Sequence, residues 1–69
     1  MKKKIVYYAL ANSGGEFFYS VRSSWWFSDK LDLNDLYKDP NEAAGAKYRI
    51  TKNLKIEDLH VKPITISWE

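Results

Sequence analysis

Residues 3–22 constrain the fold more than any other part of the chain. Lys3–Ala11 is rich in β-formers, with Ile5, Val6, Tyr7 and Tyr8 in succession. Asn12-Ser13-Gly14-Gly15 follows, and glycine supplies the positive φ that a tight reversal needs. Residues 16–22 then alternate, with Phe17, Tyr19 and Val21 on one face and Phe18, Ser20 and Arg22 on the other. A strand, a turn and a return strand are expected. The first strand carries apolar groups on both faces, which suits a central position.

The remaining segments decide what joins this pair. Residues 23–38 stay open: Trp25-Trp26-Phe27 reads as a short third strand or a hydrophobic loop, and Leu31, Leu33, Leu36 and Tyr37 fit both a short strand and one helical turn. Asp39-Pro40-Asn41-Glu42 is a helix start: Asp39 caps, Pro40 suits the first helical position, and Glu42 stands where a capping-box acid belongs. The helix is expected over 40–52, with Asn53 as its left-handed cap and Ala43, Ala46, Ile50 and Leu54 on its apolar side. Gly45 weakens that helix or marks a close contact. Residues 54–59 read as a connector, with one turn at 56–59. Residues 61–68 form a last strand, in which Pro63 argues for an edge position. The expected fold is α+β, one domain over residues 1–69. A small antiparallel sheet of three to four strands carries one helix on one face, in ββ(β)αβ order.

A chain of 69 residues orders its backbone against roughly 100 kcal/mol of conformational entropy, at ~1.5 kcal/mol per residue. Cysteine is absent, so disulfides and thiolate metal sites contribute nothing. Eleven aromatic side chains remain as the main source of buried area, and they exceed what one core of this size covers. Some therefore lie at a surface, where Trp and Tyr are typical of interfaces. Charge is uneven. Residues 29–42 hold five acids against Lys30 and Lys38; residues 43–62 hold five bases against Glu57 and Asp58.

Catalytic chemistry finds little support, and a non-enzyme is expected. His60 is the only histidine, and no nucleophile elbow or cysteine nucleophile is present. Gly14-Gly15 lacks the Lys and Ser/Thr of a phosphate loop, and Gly45-Ala46-Lys47 lacks the upstream glycine. Asp29, Asp32, Asn34 and Asp35 offer oxygen ligands, but Leu33 and Leu36 interrupt a calcium-loop pattern. No metal and no cofactor is expected. Asp29, Asp32, Asp35, Asp39 and Glu42 have near-helical spacing, yet Pro40 opposes one continuous acidic helix. No apolar run reaches bilayer length, and IVYYALA after Met1–Lys4 is too short and too aromatic for a signal peptide. A cytoplasmic protein without membrane contact is expected.

Trp25-Trp26-Phe27 is the sharpest functional signal. Adjacent strand residues face opposite sides, so one Trp is expected in the core and the other outside. Trp25, Trp26 and Phe27 are candidate apolar anchors for a protein partner, with Asp29, Asp32 and Asp35 as an acidic rim. A single-stranded nucleic acid is the rival partner, held by Lys2, Lys3, Lys4, Tyr7, Phe18, Arg22 and Lys62. A homodimer that shares the surplus aromatics is the third possibility.

The Lys-rich start running into IVYYAL, the NSGGEFFY turn, SSWWF, DPNEAA and the closing VKPITISWE together resemble the short accessory proteins of bacterial phages and prophages. Proteins of that kind include anti-CRISPR and other anti-defence inhibitors. The resemblance implies a bacterial host protein as the partner and inhibition by binding as the mode of action.

Overall fold

The computed structural model describes residues 2–69; Met1, at the head of the basic start, lies outside the described residues. The chain forms β1 (Lys3–Ala11), β2 (Phe17–Val21), β3 (Ser24–Ser28), a 3-10 turn (Leu33–Asp35), α1 (Pro40–Leu54) and β4 (His60–Trp68). The strands make one antiparallel sheet in the order β3-β2-β1-β4 with α1 on one face, an α+β fold. The ambiguous segment 23–38 is thus a strand followed by a loop that holds one 3-10 turn.

The sheet is two ladders joined at one end. β1 and β4 pair over nine register positions, from Lys3↔Trp68 to Ala11↔His60. β2 and β3 pair over five, from Phe17↔Ser28 to Val21↔Ser24. Between β1 and β2 the only register pair is Ala11↔Phe17. β2 then parts from β1, and Tyr37 takes over the vacated edge by exchanging two 2.8 Å backbone hydrogen bonds with Tyr8. The expected pair of strands forms, but as the corner of the sheet rather than a full ladder.

That exchange also explains Pro63. Because the amide and carbonyl of Tyr8 point toward Tyr37, its opposite number Pro63 holds a non-hydrogen-bonded position on β4. The missing proline donor therefore faces the outer edge, where no ladder bond is lost. The turn between β1 and β2 is fixed by Asn12, whose side chain accepts from the Glu16 amide, and by Gly15 at φ 83°.

The core is Leu10, Phe18, Ala46, Ile56 and Leu59, with Phe27, Tyr37, Ile50 and Val61 packed against it. Fully buried Ala43 and nearly buried Ala46 let α1 approach the sheet closely. Asp39 caps the helix by accepting from the Asn41 amide at 2.8 Å. The helix runs to Leu54, beyond the expected 52, and its left-handed cap is Lys55 at φ 57°, not Asn53. Residues 56–59 form no helical turn. They deliver Ile56 and Leu59 to the core, so the connector is a core segment. Asp58 between them accepts from the Ser13 hydroxyl at 2.7 Å and from the Ser13 amide, tying the connector to the β1–β2 turn.

Candidate interaction surface

Alternation along the strands divides the side chains between two faces. Leu10, Phe18, Phe27 and Val61 point toward α1. Register places Ile5, Tyr7, Ile64, Ile66, Trp68, Phe17, Tyr19 and Trp26 on the other face. Lys62 Nζ lies 5.7 Å from the centroid of the Phe17 ring, which links the two ladders across that face.

No helix covers this second face, and its aromatics are partly open. Trp26 is 45% exposed and stacks on Tyr19, with ring centroids 6.2 Å apart and planes inclined by 29°. Tyr19 is held from its far end: its hydroxyl donates to the Lys30 carbonyl at 2.6 Å and accepts from the Asp32 amide at 2.7 Å. The pair thus forms a braced platform, bordered by Ser28, Lys30, Leu31 and Asp32. At the opposite end of the sheet Trp68 is 49% exposed, beside half-buried Ile64 and Ile66 and exposed Ile5.

The residues singled out in the sequence are only partly brought together. Trp25 and Trp26 do face opposite sides, but neither enters the core; Trp25 is 43% exposed and stacks on Phe18 at 6.0 Å on the helix side. The expectation of one buried tryptophan fails because α1 covers the β1–β4 ladder and leaves the β3 edge open. Phe27 is no surface anchor: it is half-buried, edge-on to Phe18 at 5.7 Å. Asp32 borders the Trp26 platform, where its carboxylate also caps the 3-10 turn by accepting from the Asn34 amide. Asp29 is exposed just past the end of β3, and Asp35 lines the cleft between β1 and β2.

Of the residues weighed for nucleic acid, Phe18 lies in the core under α1 and has no face left for a base. Tyr7 and Lys62 share the open face; Lys2, Lys3 and Lys4 are exposed at the start of β1, and Arg22 occupies the β2–β3 turn. The acidic residues do not share one helix, since only Glu42 of the five lies within α1. Among the described residues no three His, Asp or Glu side chains converge as a metal site, and no helix is long and apolar enough to cross a membrane. His60 is exposed at the start of β4, 2.8 Å from Asp58. Asp58 is held below the ordinary carboxylate pKa, first by the Ser13 hydroxyl, then by the Ser13 amide and His60.

No protein-family model, curated protein or solved structure matches the chain. The surface must be read from its own geometry. The sequence reading passed over Trp68, Ile5, Ile64 and Ile66 as contact residues. Their alternation predicts a half-buried strand, and nothing local tells which face the helix takes.

Proposed function

We propose that this chain is a non-enzymatic, cytoplasmic protein-binding module whose contact surface is the helix-free face of the sheet. Trp26 is the anchor, Asp32 borders it, Asp29 lies exposed just past the end of the same strand, and Trp68 extends the surface to the far end. The observation that carries this reading is the braced, half-exposed Trp26–Tyr19 platform. Two aromatic rings kept in place before binding lose little freedom when a partner closes over them. Carboxylates beside an exposed indole suit a partner surface of positive charge. In the light of the phage-protein resemblance, the partner is a bacterial defence or nucleic-acid-processing enzyme, inhibited by occupation of its basic surface.

A second reading has one observation in its favour. Tyr7, Phe17 and Trp26 share the open face with Lys3 and Lys62, a combination that also suits single-stranded nucleic acid. Capture from a bacterial lysate separates the two. The tagged chain is expected to retain a stoichiometric protein through nuclease treatment and moderate salt. Trp26→Ala is expected to lose it while keeping the circular dichroism of the parent, because truncating such an anchor removes about 2 kcal/mol or more of binding. Retention unchanged by Trp26→Ala contradicts the proposal. Nucleic acid that leaves with rising salt supports the second reading.

A further inference from the structure

A separate groove lies on the other side of the sheet, between the C-terminal half of α1 and the β2–β3 ladder. It has a volume of about 320 Å³ and an apolar lining of Phe18, Trp25, Ile50 and Leu54. Arg22 and Arg49 stand on its walls, no acidic side chain lines it, and neither arginine has an ion-pair partner among the described residues. Arg22 sits in the two-residue turn at φ 58°, a left-handed conformation uncommon for a side chain of this kind. The hairpin thus ends in a cation beside an open apolar trough.

The complementary feature is on the same molecule. The 3-10 turn carries Leu33, 64% exposed, flanked by Asp32 and Asp35. Asp35 lines the β1–β2 cleft, whose walls include Phe18, Ser20 and Ile50; these three also line the groove. The acidic-apolar turn and the basic-apolar groove therefore adjoin through Phe18, Ser20 and Ile50. Neighbouring patches of opposite sign are self-complementary under a two-fold axis, which engages both at once in each copy.

The accessible surface is 5422 Å², against about 4,500 Å² for a compact monomer of this mass, so the fold leaves more surface open than its mass requires.

We propose that the occupant of this groove is a second copy of the chain: Leu33 of one copy seats between Trp25 and Leu54 of the other, with Asp32 and Asp35 against Arg22 and Arg49. The contact covers neither Trp26 nor Tyr19 but takes Asp32 from the border of their platform, so it shares that one residue with the partner-binding reading and is otherwise independent of it.

Sedimentation equilibrium over a concentration series tests it. The wild-type chain is expected to dimerise, more weakly as salt rises. Two double variants each reverse one side. Arg22→Glu with Arg49→Glu, and Asp35→Lys with Asp32→Asn (which keeps the capping oxygen), are each expected to raise the dimer dissociation constant by roughly tenfold or more. Mixing the two is expected to restore a one-to-one dimer, because the lysine introduced by Asp35→Lys then meets glutamate on one side of the contact while the other side keeps its native pairs. Leu33→Ser, at an exposed position that folding does not depend on, weakens the dimer without touching either charge set. A wild-type monomer at every concentration overturns the proposal. So does a dimer indifferent to both charge reversals, or a mixture that stays monomeric while both variants keep the parent circular dichroism.

Discussion

Gly45 lies in the middle of α1, where glycine is about 1 kcal/mol less favourable than alanine. A Cβ at that position meets only Arg49 Nη1, at 3.6 Å, an ordinary contact. Gly45 therefore marks no close approach to the sheet. Gly45→Ala is expected to raise stability by about 0.5–1 kcal/mol, read as a higher denaturant midpoint with unchanged slope. Asp58 makes a prediction of the opposite kind. Its folded-state pKa lies below the ordinary 3.8, because Ser13 donates twice to the ionised form. A depressed value means that the contact stabilises the fold above the ordinary pKa and is lost as pH falls through the folded value. A carboxyl-detected NMR titration should place the Asp58 midpoint below 3.8, and Ser13→Ala should move it upward.

At the scale of elements, the two ladders should differ in local stability. β1 and β4 share nine register pairs and the helix, while the β2–β3 ladder meets β1 at one pair and Tyr37 takes the next part of that β1 edge. Amide exchange is expected to be slowest around Ala9, Leu10 and Lys62 and markedly faster in Trp25–Phe27, which open without unfolding the rest. Uniform protection across all four strands would contradict this. β1, β2, β4 and the helix start were legible because each rests on a local device: alternation, Gly15 in the turn, Asp39 before Pro40. β3 was not, because Trp25-Trp26-Phe27 suits a strand and a loop equally, and two further features were not. The helix continued one residue past Asn53 to Leu54, so the left-handed cap fell on Lys55, at φ 57°. Ile56 and Leu59 reached the core because the connector crosses the end of the sheet, a tertiary fact with no periodic signature. Leu59→Ala should accordingly destabilise the protein by about 2–4 kcal/mol in chemical unfolding, more than Ile64→Ala on the open face.

At the scale of the whole molecule, the chain is elongated, 44 × 23 × 23 Å, with a radius of gyration of 12.7 Å against about 11 Å for a compact chain of this length. The surplus of aromatics foreseen from composition appears as Trp25, Trp26 and Trp68, each about half exposed. The cluster at 25–27 lies on a strand, and Trp25 and Trp26 face opposite sides as alternation requires; what alternation did not tell is that both indoles stay about half exposed while Phe27 packs against the core. Which face stays open depends on where α1 docks, and that follows from the pairing of β1 with β4, not from any residue near Trp26. The three tryptophans now mark three separate regions: the groove beside α1, the braced platform, and the far end of β4. NMR of their indole N–H resonances, recorded while the captured partner is added, reads all three at once. The protein-binding account predicts that the Trp26 resonance shifts and saturates at one equivalent, with Trp68 following and Trp25 unmoved. A saturating shift at Trp25 with Trp26 unchanged would contradict it.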